Sequence, residues 1–420
     1  MPKILLKQVL ISDRFSEFHQ QQVDIGIENG IITAIDWQLD ETHYNEIKNY
    51  NGCIATGHFI DVRCNSSEPG NEHRETLESL SNVAISGGFG KVALLPNCLP
   101  TRQKKSDIDF VNQFSKTSKV KLMPLGAITT NTTEENLTEL FDMHQSGAIA
   151  FSNANNSIFN SGTLSKALLY TKTFNGLIYS FCFDENIAPH ASVAEGAVAV
   201  SLGLKGIPTQ SEYIMVQRDI ELADYHQAKI HISKISCEKS VELIRQAKAQ
   251  GIQVTCDVAV MNLVLTDETL MDFDSNLKLM PPLRSANEVK ALWEGIKDGT
   301  IDAICSDHHP YEIEKKAVEF SYASYGSISL QIALNLAIEG RNRFMPMLSD
   351  EVLFEKFNTG PSKILGLQAP KIAIGNKAEI TIINPNKQTT LTKHNNCSKS
   401  NNTYYFNKPL PYHIETTINL

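Results

Sequence analysis

Asp307-His308-His309-Pro310 follows the short apolar run Ala303-Ile304-Cys305, so an acid and two imidazoles stand where a buried strand opens into a loop. Such groups accept protons or ligate metals. The same residues also fit a loop aspartate capping the next segment beside two solvated histidines, and both readings stay open. His231 interrupts Ile230 and Ile232, so strand alternation turns it away from its apolar neighbours and into a barrel or core. A lone buried histidine is more often a satisfied core residue than a ligand. One His and one Asp are too few for zinc, which takes roughly three or four protein ligands. His308 and His309, adjacent on an extended chain, point apart. Cys64 follows Arg63, whose charge favours a thiolate, and His58 is near in sequence, but a buried structural cysteine is the commoner outcome. There is no G-x-S-x-G and no phosphate-binding loop. Arg284, in Pro281-Pro282-Leu283-Arg284, fits an anion and an acidic neighbour equally well.

These side chains need elements to position them. The stretch Gly57 to Gly70 holds an apolar strand, His58 to Val62, that ends in Arg63, Asn65, Ser66 and Ser67 before the turn Pro69-Gly70. From there strand, loop and helix repeat. Helices are expected over Thr76–Ser86, Ser106–Thr117, Thr133–Ser146, Leu164–Phe174, Gln217–His226, Ser240–Gln250 and Ala286–Asp298, with Gly87-Gly88 and Gly251 as stops. The intervening strands are Lys91–Leu95, Val120–Pro124, Gly147–Phe151, Leu177–Phe181, Lys229–Ile232, Ile252–Val258 and Ala303–Cys305. About eight strands with intervening helices is the number that closes a (β/α)8 barrel, with a doubly wound sheet as the alternative. On a barrel the functional positions lie at the strand C-termini: Arg63, Asn65, Asn97, Asn153, Phe181, His231, Met261, Asn262, Asp307, His308 and His309.

Both ends of the chain have a different texture. Residues 3–55 alternate in short segments, with Glu28-Asn29-Gly30 as a hairpin signal. After Leu367, strands are expected at Lys371–Gly375, Ala378–Ile383 and Tyr412–Asn419, with Asn384-Pro385-Asn386 as a turn and Asn395–Asn402 as a polar loop. The expected organisation is an N-terminal part of a small composite β-domain at 1–55, the barrel at 56–358 and the C-terminal part at 359–420.

The 420 residues carry a net charge of −9 with both signs mixed, so no basic stripe points to nucleic acid. No run of about 18 apolar residues predicts a membrane span. The eight cysteines form no C-x-x-C pair, which argues against a zinc ribbon or disulfide framework and for a reducing, cytoplasmic setting.

Several blocks, in order, resemble dihydroorotase, a cyclic amidohydrolase, of the type encoded beside or complexed with aspartate carbamoyltransferase. They are Gly57-His58-Phe59-Ile60-Asp61-Val62, Glu68-Pro69-Gly70, Gly87-Gly88-Phe89, Pro96-Asn97, Gly147-Ala148-Ile149-Ala150-Phe151-Ser152 and Gly206-Ile207-Pro208. They continue in His231-Ile232-Ser233, Pro281-Pro282-Leu283-Arg284, Ser306-Asp307-His308, Lys363-Ile364-Leu365-Gly366-Leu367 and Ser398 to Thr403. The resemblance implies an α/β fold: a (β/α)8 TIM-type amidohydrolase barrel plus a small composite β-sandwich from both termini.

It also implies a metal site built from an H-x-H pair, a bridging carboxylate, two later histidines and a final Asp. Carried over residue by residue, these six positions are Arg63, Asn65, Asn153, Phe181, His231 and Asp307, and only the last two keep a ligand. The family's substrate-carboxylate arginine is Ser67, its second substrate asparagine is Met280, and the histidine of its final loop is Tyr311; Asn97 keeps the substrate-binding identity. Metals in this chemistry lower the pKa of bound water and polarise the amide carbonyl, whereas Arg63 puts a fixed positive charge where a cation belongs. One reading is therefore a dihydroorotase-family protein of pyrimidine biosynthesis, its scaffold shaped for dihydroorotate and N-carbamoyl-aspartate. On this reading the protein has no cofactor, has lost hydrolysis, and is retained as a homo-oligomeric assembly partner of aspartate carbamoyltransferase. The other reading is an active dihydroorotase or related cyclic amidohydrolase, with a single rebuilt zinc or a metal-free site using Asp307 as base. In the first, Asp307 pairs with Arg63 across the barrel mouth.

Overall fold

The computed structural model describes residues 3–65, 67–134 and 136–419. Met1, Pro2 and Leu420 at the ends of the expected composite β-domain, Ser66 of the loop after the first barrel strand and Glu135 of the expected helix lie outside them. Among the described residues, eight strands run parallel around one axis: β1 (Phe59–Cys64), β2 (Phe89–Leu94), β3 (Lys121–Pro124), β4 (Phe151–Ser152), β5 (Ile178–Phe181), β6 (Ile230–Ser233), β7 (Val254–Ala259) and β8 (Ala303–Cys305). The ladder β1–β2–β3 and the ladder β4–β5–β6–β7–β8 meet at two places. Gly126 bridges Phe151 on one side, and Cys64 bridges His308 on the other. The second seam closes the barrel, and it joins the end of β1 to the end of β8.

The alternation of side chains divides the barrel strands into two layers. Ile60, Val62, Ala93, Leu95, Met123, Leu125, Tyr179, Ala259, Ala303 and Cys305 fill the interior with Ile364 and Leu365. Phe59, Val92, Leu94, Leu122, Ile178, Ile230, Ile232 and Val258 face the surrounding helices. Helix Leu77–Ser86 begins at Thr76, whose side chain accepts from Ser79 N–H, and ends at Gly87. Gly88 follows at φ +92°, and a Cβ there would come within 2.8 Å of the Phe59 ring, so glycine is required on both counts.

The chain ends form one seven-stranded mixed sheet. The C-terminal strands Glu379–Thr390 and Pro409–Asn419 pair with each other, and the first of them lies antiparallel to Ile54–Gly57. Strand Ile4–Ile11 takes Glu46–Asn49 along its first half and Ile54–Gly57 along its second, forking at Gln8, φ +54°. The fork wraps a core of its own, with Leu6, Val9, Ile25 and Ile27 against Ala378, Ile380 and Ile382. The expected hairpin is present, with Asn29 and Gly30 both at positive φ.

Four local expectations need correction. The helix expected over Thr133–Ser146 is confined to Leu140–Gln145, because the preceding Thr- and Asn-rich segment satisfies its backbone through side chains and turns at Asn131, φ +54°. The strand expected over Gly147–Phe151 is only Phe151–Ser152, since Ala148 N–H closes the preceding helix on Met143. Lys371–Gly375 forms no strand; its backbone is fixed locally, by Asp13 on Ile372 N–H and by a turn at Gly375. Asn384-Pro385-Asn386 is a register irregularity inside one long strand rather than a turn. No helix among the described residues is long and apolar enough to cross a membrane.

Phe59 ties the first barrel strand to the chain's C-terminal helices. Its ring lies 5.7 Å from Phe89, 5.4 Å from Phe357 and 6.2 Å from Phe354. Phe59→Ala is expected to lower stability by about 3–5 kcal/mol in urea denaturation, whereas Trp37→Ala, at a site 66% exposed, changes it by about 0.5 kcal/mol or less.

Candidate functional site

The C-terminal ends of the strands converge on a mouth packed with charge. Arg63, at the end of β1, is fully buried. Its Nη2 donates to Ala154 O at 2.9 Å and to Asn155 Oδ1 at 2.6 Å, and its Nε lies 3.4 Å from Asp307 Oδ1. Asp307 stands just past β8 in the left-handed region, φ +48°. A second cation, Lys234, arrives from the end of β6, also left-handed at φ +55°. Its Nζ bonds Asp307 at 3.1 Å, Asn155 Oδ1 at 3.0 Å and Met280 O at 2.6 Å, with the side chain 1% exposed. Burial pulls the Lys234 amine down to about 8; Asp307 opposes that fall and Arg63 adds to it. Phe181, ending β5, presents its ring to both cations, 4.9 Å from Lys234 Nζ and 5.8 Å from the Arg63 guanidinium.

The asparagines knit this layer to the barrel. Asn65 Nδ2 donates to His308 O at 2.9 Å, and Asn97 Nδ2 donates to Asn65 Oδ1 at 2.7 Å. Asn153 Oδ1 accepts from the backbone N–H groups of Ile128 and Thr129, both at 3.1 Å, while its Nδ2 donates to Thr129 Oγ1. Ser67 lies in the loop after β1 and carries no charge to offer a carboxylate; its carbonyl accepts from Asn71 N–H at 2.8 Å. Met280 contributes its carbonyl to Lys234, and its side chain packs beside Ala188, Ala191 and Ile207. Tyr311 stacks on His309 at 4.6 Å and faces Arg74 at 5.0 Å.

His231 and Asp307 do not meet at one centre. Both ring nitrogens of His231 are engaged by β7: Nδ1 with Thr255 Oγ1 and Nε2 with Asp257 Oδ2, each at 2.9 Å. Burial pushes the Asp257 carboxyl up, but the bond and charge of His231, the Arg63 charge and Lys234 N–H outweigh it and hold the carboxyl below its usual range. His308 turns away from the mouth, its Nδ1 accepting from Ser329 N–H and its Nε2 lying 3.3 Å from Glu75. His309 is kept neutral, its basicity lowered by burial and then by Lys234, Lys316 and Arg63. Asp61 is another buried acid, pushed up to about 7 by burial despite bonds from Ser306. The Cys64 thiol is also driven well up by burial, which removes it as a nucleophile.

This donor set does not fit a metal. Arg63 is a cation with a second, Lys234, beside it, Phe181 has no lone pair, and the His231 nitrogens are already paired. Among the described residues no group of three or more His, Cys, Asp or Glu could hold a metal ion. Arg63 opposite Asp307 could be anticipated from opposite charges at the ends of adjacent strands. Lys234, Asn155 and Asp257 were not singled out in the sequence.

Lys234 sets a pH dependence. Below about pH 8 it is protonated in both folded and unfolded chains, and the cost of burying its charge is fully present. Between that value and about 10.4 the folded protein has released the proton while the unfolded chain retains it, so stability rises with pH, by about 3 kcal/mol. In urea denaturation from pH 7.5 to 10, Lys234→Met is expected to lose this rise relative to wild type. Parallel curves for the two proteins would refute it.

A family described as dihydro-orotase-like matches residues 53–240. The dihydroorotase of Syntrophus aciditrophicus (strain SB) is 35% identical over 409 residues, covering 96% of this chain and 95% of that protein. The dihydroorotase of Acetivibrio thermocellus is 36% identical over 381 residues, 90% of this chain and 89% of the relative. Among solved structures, the L-hydantoinase (dihydropyrimidinase) from Arthrobacter aurescens superposes with a TM-score of 0.85 at 20% identity, covering 100% of this chain and 95% of that one. A D-hydantoinase from Thermus sp. gives 0.80 at 18% identity, covering 99% and 94%. These establish the amidohydrolase barrel with its terminal β-sheet. Identity and coverage of the curated relatives go further, and the chain belongs to the dihydroorotase family.

Proposed function

We propose that this protein is a non-hydrolytic member of the dihydroorotase family, retained in cytoplasmic pyrimidine biosynthesis as an oligomeric assembly partner of aspartate carbamoyltransferase. The observation that carries the loss of hydrolysis is the Arg63–Asp307–Lys234 cluster. Hydrolysis of a cyclic amide needs an activated water and an electrophile that draws charge from the carbonyl. Here the carboxylate that would take the water's proton is 13% exposed and held between two cations. Bringing a divalent cation to Asp307 would place it within a few ångströms of Arg63, a repulsion of about 4 kcal/mol or more per unit-charge pair near 4 Å. The retained His231 acts as a partner of Asp257, and the retained Asp307 as the counter-ion that permits Arg63 and Lys234 to be buried. Asn97 links the loop after β2 to Asn65 instead of binding substrate.

The assembly role rests on the family resemblance: the scaffold is intact where the chemistry is lost, and a rigid surface needs the first and not the second. The test is to purify the protein, measure bound zinc, assay dihydroorotate hydrolysis with and without added zinc, and mix it with aspartate carbamoyltransferase from the same source. The expected outcome is far less than one zinc per chain, no turnover above the buffer rate, and co-migration of the two proteins at micromolar concentration. Stoichiometric zinc with turnover abolished by Asp307→Ala contradicts the loss of hydrolysis, and separate migration contradicts the assembly role.

A further inference from the structure

The end of the barrel opposite the mouth is hollowed below its plug. A cavity of about 690 Å³ lies there, among the segments that lead into β4, β5, β6, β7 and β8 and beneath the last turn of helix Thr359–Leu365. That volume is in the range of small-molecule sites, roughly 300–1,000 Å³. Its accessible apolar surface comes from the half-buried Ile149, Leu177 and Ile252, above the buried Leu365 that plugs the barrel floor. Its charge is one-sided. Lys229, Lys248 and Lys363 line it against one acid, Asp302. Asp302 is satisfied by Lys248 Nζ at 2.6 Å and Cys256 N–H at 2.9 Å, so that pair is neutral. Lys229 and Lys363 have no carboxylate partner among the described residues, which leaves two uncompensated cations on the cavity in a chain of net charge −9.

Two lysines without a carboxylate partner, lining a cavity that also exposes apolar side chains, are a recognition pattern for one kind of molecule. We propose that this floor cavity binds a small organic anion, with its apolar body against Ile149, Leu177 and Ile252 and its negative group at Lys229 and Lys363. Nothing in the barrel mouth takes part, so the site is independent of whether the mouth retains any hydrolysis. A floor ligand would contact the lead-in segments of the strands rather than the strand ends that carry Arg63, Lys234 and Asp307. Clefts of low dielectric lined by one sign of charge concentrate ligands of the opposite sign, and that attraction weakens with salt.

The probe is 8-anilinonaphthalene-1-sulfonate, an apolar body with one fixed negative charge, with uncharged N-phenyl-1-naphthylamine as its control. Fluorescence titration of the folded wild-type protein is expected to saturate at one sulfonate per chain, to weaken as salt is raised, and to raise the melting temperature. The double reversal Lys229→Glu/Lys363→Glu should weaken sulfonate binding at least tenfold and leave the uncharged control within about twofold. Lys229→Arg/Lys363→Arg, which keeps both charges, should bind the sulfonate within about threefold of wild type. Circular dichroism of each variant shows that it is folded; if the charge reversal does not fold, the single variant Lys363→Glu, at an exposed residue, replaces it with an expected loss of about threefold. Binding that fails to saturate, that is equal in wild type and the charge-reversed variant, or that appears only as the protein melts would overturn the proposal.

Discussion

One carboxylate between two buried cations is the constraint around which the barrel mouth is arranged. Arg63 and Lys234 are almost fully removed from water, and neither could be buried without a counter-charge. Asp307 supplies the charge, Ala154 O and Asn155 Oδ1 accept from Arg63 Nη2, and Asn155 Oδ1 and Met280 O accept from Lys234, while Arg63 Nε and Nη1 rely on the charge of Asp307 without a hydrogen-bond partner. Because Asp307 and Arg63 sit at the ends of β8 and β1, the same ion pair lies at the seam where the barrel closes, beside the Cys64–His308 bridge. Closure of the fold and neutralisation of the mouth are therefore coupled.

The arrangement differs from a metal centre in kind. A metal site gathers anions and neutral donors around a mobile cation; here the cations are covalent parts of the chain. Phe181 completes the substitution with an aromatic face toward each of them, a contact favourable to a cation and useless to a ligand shell. His231, released from any shared centre, pairs with Asp257 one strand away and packs at 4.3 Å on Tyr179. Asn65, Asn97 and Asn153 donate their amide N–H groups to a backbone carbonyl, to Asn65 and to the Thr129 hydroxyl.

Much of this architecture was legible in the chain. The repeat of apolar strand, polar loop and amphipathic helix after Gly57 specifies the barrel, and opposite charges at Arg63 and Asp307 become neighbours once the barrel closes. Asp257 is marked in the sequence as a charged residue on the same face of β7 as Ala259, while Cys256 and Val258 face outward. Lys234 carries no such mark. Strand alternation from His231 would turn it outward, and only the left-handed backbone at that residue swings its amine back into the mouth. The shortening of the helix near Leu140 was equally hidden, because its cause is side chains bonding to nearby backbone rather than a change in hydrophobic period.

The central claim is that Arg63 and Lys234 hold the ground that metal ions would otherwise occupy. Its most direct test is an anomalous difference map, recorded at the zinc edge from crystals of this protein grown with excess zinc. The account predicts no peak between His231 and Asp307, with the Arg63 guanidinium and Lys234 amine both on Asp307. A zinc peak coordinated by His231 and Asp307, with either cation displaced, would contradict it.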